Sequence, residues 1–294
     1  MIEPFTMPFM GRALAEMVLL AAICGPVSVF VFARRLSFVS DALTHTVFPG
    51  VVIGFLAAGL EGVFAGALGA AVITALVLTA LTRRGRVSDD AATAVLLTAM
   101  FSVGVLLVSR RSSYTADLTS FLFGRLLTVT PRQMAETAML AVVVLVALLI
   151  GARALLFRTF DPAGAAAAGF RIGRLDLWLN LVVALVVVAG VRAVGTILVV
   201  ALLIVPAAAA RMVTDRLAVM AVAGTVLIAA AGYAGLLVSW TASVRFGVAL
   251  TSASSVVLLL VAAYLLVIPV RVLRSRRHPA PGPRERDSAH ELVG

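Results

Sequence analysis

Asp41 and His45 are the residues of this chain whose types and spacing point most directly to chemistry. They lie four positions apart within SFVSDALTHTVFPGVVIG, residues 37–54, so a helix places both side chains on one face, about 6 Å apart along its axis. A carboxylate and an imidazole supply the mixed oxygen and nitrogen ligands that suit manganese, zinc or iron. Two such ligands are too few for a storage site but enough for a transient one.

The apolar sequence around this pair makes the arrangement costly. Each ionisable side chain inside hydrocarbon costs about 2 to 4 kcal/mol even on insertion scales, so such residues usually face a bundle interior or a water-filled path. This cost favours a functional role. The alternative from local spacing is that Asp41 caps its helix and His45 hydrogen-bonds a neighbouring helix.

The composition predicts what kind of fold holds the pair. Of 294 residues, 62% are hydrophobic and 13% are charged, and the mean hydropathy is +1.12, values typical of an all-α, polytopic transmembrane bundle. The chain contains no lysine, which excludes the lysine-dependent phosphate loop of ATPases. The single Cys24 excludes a disulfide framework and a CxxC metal ribbon.

Apolar runs of the length that a bilayer requires predict about eight to nine spans. The short connection between the sixth and seventh runs, Arg192 and Ala193, predicts that one of these two is short or re-entrant. We expect an interfacial segment at 1–11, a transmembrane domain at 12–270 and a basic, disordered tail at 271–294. The runs are 12–33, 41–60, 62–82, 91–109, 134–156, 175–191, 194–212, 217–239 and 250–270.

The arginines between the runs predict the orientation. Eleven lie in one set of connections, and seven lie in the other, so the positive-inside rule places the first set in the cytoplasm. The tail falls on the same side, and its His278 and His290 are expected to be inert. The first set is Arg34, Arg35, Arg83, Arg84, Arg86, Arg153, Arg158, Arg171, Arg174, Arg211 and Arg216; the second is Arg12, Arg110, Arg111, Arg125, Arg132, Arg192 and Arg245.

The cytoplasmic segment FRTFDPAGAAAAGFRIGRLD predicts a short helix lying across that face. Asp161 and Pro162 form an N-cap and first-turn pair, the alanines propagate a helix, and Gly169 can end it. Such an element is either a lever to a soluble motor domain or a well-capped loop.

Two other polar features have open interpretations. Glu16, inside the first span, either attracts cations at an entrance or snorkels to the interface, and we favour the interface. The outer connection Arg110–Gln133 contains SFLFGRLL, which either lies on the membrane or dips into it. Its polar Tyr114–Asp117 segment either contacts a docking partner or belongs to a packed surface loop, and we favour the loop.

From about Pro8 to about Val270, the chain resembles the permeases of bacterial ABC importers for manganese, zinc and iron. The resemblance depends on five separated motifs in order: PFMGRAL, FARRLSFVSDALTHTVFPGVVIG, SFLFGRLL, TFDPAGAAAAGF and VGTILVVALLIVPAAAARMVTDRL. It implies a non-enzymatic subunit of the cytoplasmic membrane that holds no permanent cofactor. It also implies a second permease copy, ATPase subunits that use the ATP, and a solute-binding protein that delivers the metal.

The resemblance also assigns residues by motif position. It implies that Asp41 and His45 contact the metal, and that a coupling segment engages the ATPase. The alanine-rich stretch 163–168 departs from the charged and larger residues usual there, so the contact is expected to rely on flanking residues such as Arg158. The stretch Thr251–Ser255 lacks the proline and glycine of the family's PSGAT-like motif, which puts substrate contact there in doubt. The coupling residues are Phe160, Asp161, Pro162, Gly169, Phe170 and Arg171.

Other functions remain open on sequence alone. A permease for siderophores or vitamin B12 should have a roomier, less ionisable path than DALTH provides. An ion-coupled secondary transporter should show broken helices in two related halves, and we find no convincing repeat. An intramembrane enzyme should show an HExxH, GxSxG or CxxC pattern, and none appears. The sequence fixes neither the metal nor whether the partner permease is identical or a paralogue.

Overall fold

The computed structural model describes residues 3–83, 88–109, 124–248 and 250–277. Within these ranges the chain consists of α-helices, connecting turns and three short 3₁₀ segments, with no β-strand. The helices are α1 (Pro8–Ala33), α2 (Ser37–Thr46), α3 (Phe48–Ala58), α4 (Gly62–Thr82), α5 (Asp89–Val108), α6 (Pro131–Phe160), α7 (Pro162–Ala167), α8 (Ile172–Arg211), α9 (Leu217–Phe246) and α10 (Ser252–Arg277).

Eight helical stretches in the described part of the chain are long and apolar enough to cross a membrane. The stretch Ser37–Ala58 joins α2 and α3 into one of them, and among the described α-helices the short α7 alone belongs to none. The predicted all-α, multi-pass membrane class is confirmed.

Two ion-paired clusters mark the opposite ends of the bundle, and we name the ends after their shared carboxylates. The Asp176 end contains Arg34, Arg158 and Asp176. The Glu136 end contains Arg132, Glu136 and Arg192. Arg83 borders one cavity together with Arg34 and Arg158. These three arginines therefore lie at the end opposite to Arg132 and Arg192, as the sequence predicted. Which end faces the cytoplasm stays a prediction.

The longest helix, α8, is two helices joined at a sharp reversal. Its backbone leaves helical geometry at Gly195, where φ is 79° and ψ is 168°. A Cβ placed on Gly190 would lie 2.5 Å from Cγ2 of Val199, whereas nine residues of continuous helix would separate the two positions by about 13 Å. The two arms, 172–194 and 196–211, therefore lie side by side.

The second arm returns the chain to the Asp176 end. Its Ala207 and Ala210 pack with Val29 close to the last turn of α1. The arm rises about 24 Å, which is less than the hydrocarbon thickness of about 30 Å. The described residues therefore make nine passes through the bundle, and the second pass of the pair is the short one.

The reversal requires glycine because the backbone of Gly195 adopts a conformation essentially restricted to that residue. The turn is also held from outside. The N–H of Arg125 donates to the carbonyl of Ala193 at 3.1 Å. Gly124, with a φ of 69°, packs so closely that a Cβ there would lie 2.2 Å from the carbonyl carbon of Val194. The loop before α6 thus clamps the tip of the α8 hairpin.

The ends of the described chain differ slightly from the sequence expectation. α1 begins at Pro8, inside the segment predicted to be interfacial, and α10 continues to Arg277, seven residues into the predicted disordered tail. The predictions for Tyr114–Asp117 and for residues 278–294 lie outside the described residues, as does the first part of SFLFGRLL.

Glycines allow α3 and α4 to pack backbone against backbone. A Cβ on Gly50 would lie 2.3 Å from the carbonyl oxygen of Gly66, and one on Gly54 would lie 2.2 Å from that of Gly62. Contacts this short exclude any side chain, as in the small-residue interfaces of other membrane helices. This packing anchors the α3 half of the stretch that begins with α2.

Gly66→Ala should therefore destabilise the protein, because the added methyl would lie 2.1 Å from the backbone oxygen of Gly50. The expected loss is about 1–3 kcal/mol, seen as a lower melting temperature of the detergent-purified protein. Gly69→Ala is the matched control in the same helix, since nothing lies within 4 Å of its Cβ position. Equal melting temperatures for the two variants would contradict the proposed packing.

Candidate functional site

Asp41 and His45 lie on the partly exposed face of α2. The Asp41 side chain is 43% exposed and that of His45 is 27% exposed. The opposite face of the helix is buried, with Val39 and Leu43 in the main core. Neither polar side chain is sealed among apolar neighbours, so both are accessible to water, an ion or a second protein chain.

The two side chains are close enough to share one ion. Nε2 of His45 lies 3.8 Å from Oδ1 of Asp41, which is too long for a good hydrogen bond. Transition-metal bonds to these atoms measure about 2.0–2.2 Å, so an ion between them can contact both. Among the residues that the structure describes, no group of three or more His, Cys, Asp or Glu side chains could hold a metal ion. A single chain therefore provides two such ligands at this place.

The alternative that Asp41 caps its helix does not fit the structure. α2 begins at Ser37, its N-cap is Leu36, and no side chain caps it. Asp41 lies in the second turn, where the backbone N–H groups are already used within the helix. Its carboxylate is thus free of a capping role.

The imidazole of His45 is positioned by an aromatic neighbour and by a helix break. Its ring meets the ring of Phe101 from α5 edge-on, with centroids 5.7 Å apart, an orientation that aromatic rings favour. α2 ends at Thr46, and α3 begins at Phe48 with Pro49 in its first turn. Because proline has no N–H, the carbonyl of His45 lacks its regular helical donor, and the N–H of Val47 is directed at it instead.

The predicted coupling segment forms the expected short helix at the Asp176 end. α7 is capped by Asp161, whose Oδ1 accepts from the N–H of Gly164 at 2.7 Å. Pro162 occupies the first turn, and Gly169 follows the helix with a φ of 85°. Arg171 is the N-cap residue of α8. The local prediction of this element is confirmed, although its contact with an ATPase stays a prediction.

Aromatic side chains flank this short helix. Phe160 is 65% exposed, and Phe170 is 42% exposed while its ring meets that of Phe157 edge-on. Ala165 is fully buried, so the helix is held against the bundle by its inner face. Its outer surface is smooth alanine bordered by exposed aromatic rings.

The sequence suggested that Arg158 is a flanking contact for the ATPase, but in the structure this side chain is paired within the bundle. Its Nη2 donates to Oδ2 of Asp176 at 3.3 Å, and Oδ1 of the same carboxylate accepts from Arg34. All three side chains are mostly buried. Sequence analysis missed this network, although Asp176 lies inside a predicted span and carried the same signal as Glu16.

A second network at the Glu136 end was also missed. Glu136 pairs with Arg192 at the tip of the α8 hairpin and, at 3.3 Å, with Arg132 of its own helix. Arg132 also reaches Glu61 in the turn between α3 and α4. These pairs connect three turns across one end of the bundle.

The favoured interfacial position of Glu16 is wrong. The residue is fully buried, and its Oε1 accepts from the hydroxyl of Thr137 on α6 at 2.7 Å. The carboxylate is therefore enclosed between α1 and α6 and does not extend to the interface.

The hydroxyls of Thr251–Ser255 are engaged in contacts within the bundle. Ser252 donates to Ser239 of α9 at 3.0 Å, and Ser239 donates to the carbonyl of Leu250 at 2.8 Å. Thr251 donates to Ser254. The two bonds of Ser239 connect α9 to the start of α10.

The sequence matches the model of the ABC 3 transport family over residues 6–271. It is 35% identical to the manganese transport system membrane protein MntC of Halalkalibacterium halodurans, over 88% of this chain and 86% of that protein. It is 31% identical to the chelated iron transport system membrane protein YfeD of Yersinia pestis, over 81% of this chain and 79% of that protein.

A solved structure has the same arrangement of helices. PsaBC from Streptococcus pneumoniae, in complex with a Fab, superposes with a TM-score of 0.77 at 29% identity, covering 91% of this chain and 95% of that one. Family match, relatives and fold agree along almost the whole chain. We conclude that the chain belongs to the ABC 3 transport family.

Proposed function

We propose that this chain is the membrane-spanning permease subunit of an ATP-driven ABC importer that carries a divalent metal ion into a bacterial cell. The observation that carries the proposal is the pair on α2, since Asp41 and His45 place an oxygen and a nitrogen ligand 3.8 Å apart on an accessible face of a spanning stretch. The relatives named for manganese and iron transport support the cargo class.

The geometry suits an ion that passes through. Asp41 and His45 replace part of the hydration shell, and the remaining ligands come from water, from the backbone or from a second permease copy. Discontinuous helices commonly provide such backbone oxygens in transporters, and the break between α2 and α3 lies at Val47, two residues after His45. Two protein ligands hold the ion weakly enough for release, so the solute-binding protein sets most of the selectivity.

The exposed face of α2 supports a dimer of permeases, with the path between the copies. The accessible side of Asp41 and His45 faces away from the core of its own chain, so a second copy can close the site. The cargo then passes along a shared axis instead of through a single chain.

The Asp176 end is the cytoplasmic end in this proposal, and α7 docks on the ATPase. A smooth alanine helix offers little charge recognition, so the exposed rings of Phe160 and Phe170 provide most of the contact. ATP binding and hydrolysis in the partner move the segment 157–174 and switch the bundle between outward and inward states. The proposed location is the cytoplasmic membrane.

Asp41→Ala and His45→Ala should each reduce uptake of Mn²⁺ on the order of tenfold or more, because each removes one of two protein ligands. Uptake is measured in cells that lack the native permease, with membrane levels checked by immunoblot. Fe²⁺, Zn²⁺ and a ferric chelate tested in parallel identify the cargo.

The control for the ligand variants is Asp215→Ala, which removes an 89% exposed carboxylate paired with Arg211 one turn before it. It should transport like the unmodified protein. Normal uptake by both ligand variants, at normal membrane levels, would remove the pair from the mechanism.

Phe160→Ala should weaken association with the ATPase, because it removes the most exposed apolar ring beside α7. The measurement is the amount of ATPase that co-purifies with the tagged permease in detergent. Phe246→Ala is the matched control, since this ring is 76% exposed and ends α9 at the Glu136 end. Equal ATPase recovery with both variants would contradict docking at Phe160.

A further inference from the structure

The carboxylate of Asp176 connects three helices at the end of the bundle that carries α7. Its Oδ2 accepts from Arg158 in the last turns of α6, and its Oδ1 accepts from Arg34 at the end of α1. The side chains of Arg34, Arg158 and Asp176 are 12%, 19% and 26% exposed. Charges this buried are costly to leave unpaired, so the three groups move together.

The pair of Arg158 and Asp176 closes the base of the loop that carries α7. Arg158 precedes α7 by four residues and Asp176 follows it by nine, so their contact joins the two stems. The loop itself is stiff, because Asp161 caps α7 and the N–H of Phe170 donates to the carbonyl of Ala165 at 3.0 Å. A force applied to α7 therefore reaches Asp176 as movement of a compact unit.

The pair of Arg34 and Asp176 connects this unit to α2, the helix that carries Asp41 and His45. Arg34 is followed by Arg35, which has a φ of 55°, and α2 begins two residues later. The N–H of Leu36 donates to the carbonyl of Val31 at 2.8 Å, the 6→1 bond of a stiff helix end. Movement of Arg34 is thus passed to α2.

There is room for such movement beside the network. A cavity of about 490 Å³ is bordered by all three charged groups and by Leu36 and Val39 at the start of α2. Its polar lining also includes Asn180, whose amide donates to Thr79 at 3.0 Å. The start of α2 therefore borders free space on this side, which leaves room for it to shift when the network shifts.

We propose that Asp176 is a positioning residue that couples the α7 loop to α2 through Arg158 and Arg34, so that movement of the loop at the ATPase displaces Asp41 and His45. The inference rests on the proposed import function and adds the route by which the work of the ATPase reaches the ion ligands. Asp176 itself touches no cargo in this scheme.

The test uses the complete complex of permease, ATPase and solute-binding protein in liposomes, with Mn²⁺ uptake and ATP hydrolysis measured on the same preparation. Asp176→Asn keeps the shape of the side chain and removes its charge. Hydrolysis should persist, while Mn²⁺ uptake per ATP hydrolysed should fall on the order of tenfold, a typical size for coupling between sites. Asp215→Asn makes the same chemical change at an exposed pair and should leave the ratio unchanged.

A second comparison separates coupling from folding. Arg34→Gln cuts the connection to α2 and leaves the pair between Arg158 and Asp176 in place, so it should uncouple the complex while ATPase recovery stays normal. Arg158→Gln leaves the connection to α2 and opens the base of the loop, so it should uncouple less. If the complex with Asp176→Asn fails to assemble, the comparison of Arg34→Gln with Arg158→Gln tests the coupling role instead.

The outcomes distinguish the two proposals. If the unmodified complex takes up no divalent metal, the import function is overturned, and this inference with it. If the unmodified complex transports Mn²⁺ but Asp176→Asn and Arg34→Gln keep its ratio of uptake to hydrolysis, only the coupling role is overturned.

Discussion

An ionised side chain inside an apolar bundle must be paired or hydrated, and the rest of this structure depends on how each one meets that requirement. Asp176 is held by two arginines at one end, and Glu136 is held by two at the other. Glu16 is buried against a threonine hydroxyl. The loose pair of Asp41 and His45 lies on a spanning stretch and keeps an accessible surface. The neighbours of each ionisable side chain thus distinguish the groups that hold helices together from the groups that can bind an ion.

The α8 hairpin shows how the same requirement shapes the fold. Its two arms lie at the centre of the bundle, and its sharp tip would expose backbone groups if it were unsupported. Gly195 permits the reversal, Arg125 bonds the carbonyl of Ala193, and Arg192 pairs with Glu136. The outer turns are therefore tied to one another, while the cavity at the Asp176 end leaves α2 room to move.

The two ends consequently differ in character. At the Glu136 end, ion pairs connect three turns. At the Asp176 end, the capped α7 loop, one shared carboxylate and a cavity lie beside the helix that carries the candidate ion ligands. In a transporter whose motor acts at one end of the bundle, a displacement at that end has to move the binding residues. A cavity beside the helix that carries them leaves room for this movement.

The sequence by itself determined the features that depend on local pattern: the helical membrane class, the spacing of Asp41 and His45, and the capped α7, whose signals lie within a few residues of one another. The tertiary structure decided which distant groups meet. Arg34 and Asp176 are 142 positions apart, and Glu16 and Thr137 are 121 apart, so no local spacing predicts either contact. Glu16 was misplaced because a lone carboxylate in a sequence does not show which neighbouring helix covers it. Partner choice inside a bundle depends on helix order and rotation, and these are fixed only when all the helices pack together.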